Sequence, residues 1–459
     1  MAQTDIVMNP YPEQSGSSSS STTSRWTTHI EVRLQPRAAA RFDTIRILVQ
    51  TYLTSFEHVP ELASSVDVIT ACESSCPHTS LMVEEMALQI HVYQPSDSDS
   101  FEEFSNSAGA RDEDDDTMAA TVCELPNRGW EGLWDSLIYA DDIKMKLLDY
   151  IHATLVFSDA NVDYNLISWN RVVLLHGPPG TGKTSLCRAL AQKISIRLSH
   201  RYSHARLLEI NSHSLFSKWF SESGKLVQRL FNSITELVEE EDGFLVVLID
   251  EVESLTAARA GAMAGTEPSD GLRVVNALLT QLDKLKHRKN VLIMSTSNLV
   301  KAIDSAFVDR ADIVQYVDLP SREAIYEILR TCLCEIMGKG IVTAVSVPTL
   351  KQVQMYELIA KTDILSTPAP AVGNDLHRSK NMGLKLLALA TQCRTQGMSG
   401  RALRRLPVLA LARYIGVGNI VQSKINDSCP SQGGANVEVW LEGMERVVNE
   451  KAKELERLI

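Results

Sequence analysis

The segment GPPGTGKT, from Gly177 to Thr184, combines glycines with a lysine and a threonine at a spacing that binds phosphate. The glycines let backbone N–H groups converge on phosphate oxygens without obstruction by side chains. Lys183 can then reach the β- and γ-phosphates, and the Thr184 hydroxyl can coordinate Mg²⁺. We therefore predict a site for ATP and Mg²⁺ formed by Gly177, Pro178, Pro179, Gly180, Thr181, Gly182, Lys183, Thr184 and Ser185.

Two adjacent carboxylates, Asp250 and Glu251, follow an apolar run from Phe244 to Ile249. Asp250 would hold Mg²⁺ directly or through water, and Glu251 would act as the general base for the attacking water. Both acids could instead cap the next helix, but their pairing with a phosphate loop favours catalysis. Asn298, which follows the run NVLIMSTS, could orient that water, although alone it would be a common turn former.

The elements that must position these residues are those of an α/β protein. A β-branched apolar run, Val172 to Leu175, precedes the glycines, and Leu186, Ala189 and Leu190 continue after them at helical spacing. This order of strand, glycine turn and helix argues against a merely flexible turn. The runs before the carboxylates and before Asn298 predict further parallel strands, whose carboxyl ends meet at one edge of the sheet.

The N-terminal part of the chain has the pattern of a small α+β domain over residues 25–94. Ile30, Val32 and Leu34 alternate with polar residues, as in a half-buried strand. A helical pattern and two further strand-like runs follow, in the order Phe42, Ile45, Val49 and Leu53, then VDVIT, then ALQIHVY.

Composition limits the class of protein. Residues 1–24 are serine-rich, which predicts disorder, and the acidic stretch 95–124 predicts a solvated linker rather than a docking tail for a basic partner. The net charge of −12 argues against wrapping duplex DNA.

Cys72, Cys76 and His78 form only half of a zinc site, so a loop with reduced cysteines is favoured over a metal. Without a secretory signal or an apolar run of about 20 residues, the sequence predicts a soluble, intracellular protein with no membrane partner.

From Leu125 to the C-terminus, these motifs resemble the AAA+ ATPases. In that family GPPGTGKTS is the Walker A motif, LVVLIDE is the Walker B motif, and Asn298 is sensor 1. The resemblance implies a homo-hexameric ring with nucleotide at the subunit interfaces. It also implies a parallel sheet flanked by helices over 125–320 and a small helical lid over 321–459.

Two arginines take their roles from the same resemblance. The segment DSAFVDRAD resembles the one that presents an arginine finger to the neighbouring subunit, so Arg310 is the candidate, although the second arginine of the family is absent. The segment GMSGRALRR resembles the sensor 2 helix, in which Arg401 would face the γ-phosphate. Arg404 and Arg405 are interpreted as part of a solvated helix face.

The segment SKWFSESGK places Lys218, Trp219 and Phe220 where AAA+ remodellers carry an aromatic pore loop. The alternative is that both aromatic side chains are buried in the core. Together with AFVDRAD, GMSGR and the N-terminal module, this loop resembles the pachytene checkpoint protein 2 family. That resemblance implies an ATP-driven remodeller that pulls HORMA-domain proteins from a closed to an open form, in some cases through an adaptor. Nuclear and cytoplasmic localisation, action at meiotic chromosome axes and a role in the spindle checkpoint are implied with it.

Two other classes of function share part of these motifs. A clamp-loader or helicase-type AAA+ protein would act on nucleic acid and should show clustered basic residues, but Lys218 and Lys225 are too few. A nucleotide-dependent scaffold would lack Asp250, Glu251 or the arginine finger, and candidates for all three are present. The sequence therefore favours hydrolysis coupled to work on a protein.

Overall fold

A computed structural model gives the fold of the chain, and it describes residues 26–36, 38–55, 60–76, 85–98, 102–103, 120–212, 223–254, 270–286, 288–299, 303, 305–362, 374–415 and 436–457. The chain divides into two compact units, Met1–Gln94 and Pro95–Ile459.

The first unit is a three-stranded sheet packed on helices. Strand β1 lies in the centre, antiparallel to β2 and parallel to β3. The side chains predicted to alternate along β1 are buried together with Ile45 and Val49 of the first helix, so the α+β prediction for this region is confirmed. The elements are β1 (Trp26–Leu34), α1 (Phe42–Ser55), α2 (Pro60–Ser65), β2 (Val66–Ser74) and β3 (Met86–Tyr93).

The second unit contains a seven-stranded sheet with the order β10-β6-β9-β8-β7-β5-β4. The strands from β10 to β7 are parallel to their neighbours, whereas β5 and β4 are antiparallel and form one edge. The strands are β4 (Glu102–Glu103), β5 (Ala120–Leu125), β6 (Val172–His176), β7 (His204–Asn211), β8 (Gly243–Asp250), β9 (Val291–Ser297) and β10 (Ile313–Tyr316).

The prediction that residues 95–124 form a solvated linker is wrong in part. Strand β4 lies within this segment, and so does β5 except for its last residue, Leu125. In β5, Ala120, Cys123 and Leu125 are buried against the sheet core. The acidic composition before residue 120 dominated the sequence pattern, and a strand this short offers few alternating positions.

Helices cover both faces of the large sheet. Val173 and Leu175 point to one core with α4 and α5, while Val172 and Leu174 point to the other core with α6 and α7. Burial on both faces explains why the central strands are continuously apolar. The helices of this part are α3 (Leu133–Ser136), α4 (Ile143–Asp159), α5 (Lys183–Arg197), α6 (Ser223–Glu239), α7 (Asp270–Leu285) and α8 (Ser305–Val308).

The C-terminal part is helical and has a core of its own. Trp440 and Tyr326 are among its largest fully buried side chains, and the Tyr326 hydroxyl donates to the carbonyl of Pro348 at 2.7 Å. This lid completes the predicted AAA+ fold class, which is confirmed. None of the described helices is long and apolar enough to cross a membrane. The lid helices are α9 (Arg322–Gly338), α10 (Leu350–Thr362), α11 (Asn374–Thr395), α12 (Gly400–Ala410) and α13 (Val437–Glu456).

Candidate active site

The glycine loop joins the end of β6 to the start of α5. Gly177 and Gly180 have φ angles of 147° and 78°, which side chains rarely adopt. A Cβ atom at Gly177 would lie 2.2 Å from the carbonyl oxygen of Val317, and one at Gly180 would lie 2.7 Å from Ser399 Oγ. Glycine is therefore required at both positions, and the bare backbone leaves a cradle at the helix N-terminus of the kind that binds phosphate.

Lys183 is buried within this cradle, with 5% of its surface exposed. Its Nζ donates to the carbonyl oxygens of Gly177 and Pro178 at 2.9 and 2.8 Å. Burial lowers the pKa of Lys183, while the nearby charges of Glu253 and Asp250 oppose that shift. An ammonium group has three donors, so Lys183 is held by the loop and can still donate to a phosphate oxygen.

Thr184 at the start of α5 and Asp250 at the end of β8 bring together two oxygen atoms that can bind a metal ion. The Thr184 hydroxyl donates to Asp250 Oδ1 at 2.9 Å, and the Thr296 hydroxyl of β9 donates to the same oxygen. A hydroxyl and a carboxylate at a phosphate loop are the ligands that Mg²⁺ prefers. The residues present therefore fit the magnesium ion that the sequence predicts.

Glu251 lies where the chain leaves β8. Its φ of 59° is in the left-handed region, and its backbone N–H donates to Thr296 Oγ1 at 3.3 Å. A left-handed backbone is uncommon for a residue other than glycine and is often found at functional sites. The exposed side chain of Glu251 is accessible to water, as a general base must be.

Asn298 follows β9 and is held there by an acidic residue that the sequence patterns did not indicate. Its backbone N–H donates to Glu253 Oε1 at 3.1 Å. The overlooked signal was a third acidic residue, two positions after Glu251 in the segment DEVE. The parallel order of β8 and β9 brings Asp250, Glu251 and Asn298 to the same edge of the sheet.

A cavity of about 250 Å³ adjoins the glycine loop. Apolar side chains before α4 form one wall, and the Tyr139 hydroxyl donates to the Gly182 carbonyl at 3.4 Å. The sequence did not predict this wall, because the spacing of its apolar residues is the same as that of residues buried in a hydrophobic core. The cavity is lined by Leu137, Ile138, Tyr139, Ala140, Asp141, Ile143, Gly180, Thr181, Gly182, Ser185, Asp318, Leu319, Pro320, Ile328, Gly400, Arg401 and Arg404.

The lid reaches the glycine loop through the N-terminus of α12. The backbone N–H of Arg401 donates to the Gly180 carbonyl at 3.1 Å, and the Arg401 side chain is exposed beside the cavity. Arg404 donates to the Ser136 carbonyl, so it joins the lid to the large subdomain rather than lying only on a solvated face. Arg405 is exposed.

Arg310 follows α8 and contacts other parts of the same chain. Its Nε and Nη2 donate to the two carboxylate oxygens of Asp283 in α7, at 3.0 and 2.9 Å. A third bond joins Nη1 to the carbonyl of Ala306 at 2.6 Å. The predicted pore-loop residues Lys218, Trp219 and Phe220 lie outside the described residues.

In the first unit, the ligand atoms of Glu31, Cys72 and Glu73 lie within 4.8 Å of one another. Cys76 is not part of this group, and His78 lies outside the described residues. The grouping therefore differs from the half zinc site considered in the sequence.

Three family models match the chain in order. The model of the TRIP13 N-terminal domain matches residues 23–98. The model of the ATPase family associated with various cellular activities matches residues 173–319. The model of the TRIP13-like AAA+ ATPase lid C-terminal domain matches residues 321–451.

Curated relatives and a solved structure resemble the chain over most of its length. The pachytene checkpoint protein 2 homolog of Danio rerio is 46% identical over 398 residues, covering 84% of this chain and 88% of the relative. The homolog of Homo sapiens is 44% identical over 405 residues, covering 85% and 88%. The structure of C. elegans PCH-2 has a TM-score of 0.67 at 32% identity, covering 93% of this chain and 99% of that one.

Proposed function

The chain belongs to the pachytene checkpoint protein 2 family and is an AAA+ ATPase, and on this basis we propose that it converts HORMA-domain proteins from a closed to an open form. The observation that carries the enzymatic part is the meeting of Lys183, the Thr184–Asp250 pair and Glu251 at one sheet edge. The choice of substrate is supported by the family of the chain.

ATP binding follows from the glycine cradle and the adjoining cavity. The phosphates lie along the loop, where backbone N–H groups and Lys183 donate to their oxygens. The adenine ring of ATP lies in the cavity beside Tyr139, and the lid borders this cavity through Arg401 and Arg404. Thr184 and Asp250 would hold Mg²⁺, which would neutralise phosphate charge when bound.

Hydrolysis requires a water that attacks the γ-phosphorus in line with the leaving oxygen of the β-phosphate. Glu251 accepts the proton of this water, and the amide of Asn298 orients it. The P–O bond to the β-phosphate breaks, which releases ADP and phosphate. Arg401 of the same subunit and Arg310 of the neighbouring subunit stabilise the negative charge on the transferring group.

Mechanical work requires a ring in which nucleotide state moves a substrate-gripping loop. We place Trp219 and Phe220 in the central pore of a homo-hexamer, with Lys218 beside them, where they grip an extended chain. The first unit recruits the HORMA-domain protein or its adaptor. Action in the nucleus and the cytoplasm, including at chromosomes, belongs to the same proposal.

The test measures ATP hydrolysis and HORMA-domain conversion in the same preparation. A closed HORMA-domain protein, with an adaptor where needed, should stimulate hydrolysis and should be converted to its open form. Duplex and single-stranded DNA are tested in parallel, and Glu251→Gln is the control without turnover. Stimulation by DNA alone would contradict the proposal and favour a nucleic-acid motor, whereas hydrolysis without conversion of any HORMA-domain protein would remove the proposed substrate class.

A further inference from the structure

Glu253 lies beside the active site and has no part in the mechanism described above. The left-handed residue Glu251 turns the chain sharply after β8, and Val252 is then buried with its N–H donating to the Thr296 carbonyl at 2.9 Å. These contacts fix the start of the next helical turn against the end of β9. Glu253 is thereby directed back towards the neighbouring strand rather than into solvent.

The two carboxylate oxygens of Glu253 have different surroundings. Oε1 accepts the hydrogen bond from the backbone N–H of Asn298 at 3.1 Å. Oε2 is buried and has no hydrogen-bond partner within the part of the chain that the structure describes. A buried acceptor without a donor lowers stability, so a carboxylate is a poor choice for a purely structural cap at this position.

Asn298 needs an anchor because the chain leaves the sheet at this point. The last strand residue of β9 is Ser297, and Leu299 is 58% exposed. The hydrogen bond to Glu253 therefore holds Asn298, which is the first residue after the end of strand β9. A shift of about 1 Å in a group that orients a reacting water is enough to slow a reaction markedly.

We propose that Glu253 is a positioning residue for ATP hydrolysis, which holds the backbone of Asn298 so that its side-chain amide stays aligned with the attacking water. The proposal rests on the function proposed above for Asn298. It assigns Glu253 to the chemical step, and it leaves nucleotide binding to the glycine loop and Lys183.

The hydrogen bond and the charge of Glu253 can be separated by substitution. Glu253→Gln keeps an acceptor oxygen at the same reach but removes the charge. Glu253→Asp keeps the charge but shortens the side chain by one methylene, which withdraws the acceptor from the Asn298 N–H. We expect kcat to fall by roughly 10- to 100-fold in Glu253→Asp and Glu253→Ala, the equivalent of one lost hydrogen bond to a charged group. Glu253→Gln should keep most of the activity, and ATP affinity should change little in all three.

A double-mutant cycle tests whether Glu253 acts through Asn298. In an Asn298→Ala background, Glu253→Ala should lower kcat by no more than about twofold, because coupled residues are not additive. Glu335→Ala, at an exposed site in α9, is the surface control and should match the unmodified chain. Melting temperature and ring assembly are measured for every variant, so that a folding defect is separated from a loss of turnover.

Four results would overturn the proposal. Equal losses from Glu253→Ala in both backgrounds would show that it does not act through Asn298. Greater activity in Glu253→Asp than in Glu253→Gln would assign the effect to charge instead of reach, and this comparison stands even if Glu253→Ala does not fold. Unchanged turnover in Asn298→Ala would show that Asn298 does not orient the water, and the positioning role of Glu253 would fail with it. A loss of turnover in Asn298→Ala without a loss in Glu253→Ala would remove only the role of Glu253.

Discussion

At the scale of single residues, binding and bond cleavage are divided between two sets of side chains. Lys183 is buried in the loop and bonded to its carbonyl groups, and the proposed mechanism assigns it to phosphate binding. Glu251 is exposed at the end of β8, where a water can approach it. Substitutions at these two positions should therefore have different consequences.

Glu251→Gln should keep ATP binding and stabilise the assembled ring while lowering turnover by roughly 10²–10⁴-fold, since an amide cannot accept the proton of the water. Fluorescent-nucleotide titration and a phosphate-release assay measure the two effects separately. A similar loss of nucleotide binding would remove Glu251 from the role of base.

Lys183→Ala should weaken ATP binding itself, by about 10- to 100-fold, because a charged hydrogen bond to phosphate disappears. The same titration measures this change, with Arg405→Ala at an exposed lid position as the control. Unaltered affinity would mean that Lys183 serves the loop and not the nucleotide.

At the scale of elements, the ends of strands and helices decide which groups meet. Arg310 illustrates this, because the bond to Asp283 joins the end of α8 to α7 and leaves the Arg310 side chain 30% exposed. A guanidinium fixed in this way at a subdomain surface has a defined direction, which suits a finger that acts on a neighbouring subunit. The prediction for Arg310 therefore concerns two chains at once.

Mixing Arg310→Ala chains with Lys183→Ala chains should restore part of the activity that each lacks. An intact site can then face an intact finger at some interfaces, and such a finger contributes on the order of 10³–10⁵ in kcat in related systems. Hydrolysis is measured on rings shown to be mixed by two affinity tags. No recovery in those rings would place the action of Arg310 within its own subunit.

The loop that carries Trp219 has its own prediction. Trp219→Ala should fold, form rings and keep basal hydrolysis, but it should fail to convert a HORMA-domain protein, since the indole supplies the gripping surface. A core position would instead lower stability by about 3–5 kcal/mol and reduce hydrolysis with it. Melting temperature, basal ATPase activity and conversion are compared with those of Phe220→Ala, for which a weaker defect of the same kind is expected.

At the scale of the whole molecule, the ATPase site and the unit that we propose recruits the substrate belong to separate compact units. The unit Met1–Gln94 has its own buried core around Val32 and Val49, and the ATPase site lies entirely within Pro95–Ile459. Removal of residues 1–94 should therefore leave basal hydrolysis within about twofold of the full chain while abolishing HORMA-domain conversion. The ATPase assay and the conversion assay together measure this separation, and conversion by the truncated chain would move substrate recruitment elsewhere.

The sequence by itself determined the fold class, the ATPase activity and the family. Its glycine loop and strand-end acids have fixed local spacing, because phosphate binding needs a bare backbone at a helix N-terminus. Alternating and continuous apolar runs likewise distinguished the half-buried β1 from the fully buried β8.

Only the tertiary structure decided what meets across long sequence separations. The Glu253 carboxylate, just after β8, contacts Asn298 at the end of the neighbouring strand β9. Asp283 pairs with Arg310, and α12 of the lid contacts the glycine loop at Gly180. The edge strand β5 is likewise defined by its antiparallel pairing with β7, which lies about 80 residues later in the chain and which the sequence of β5 alone does not indicate. Local spacing records the chemistry of one segment, whereas these contacts depend on the order of strands and the packing of helices, which no single segment specifies.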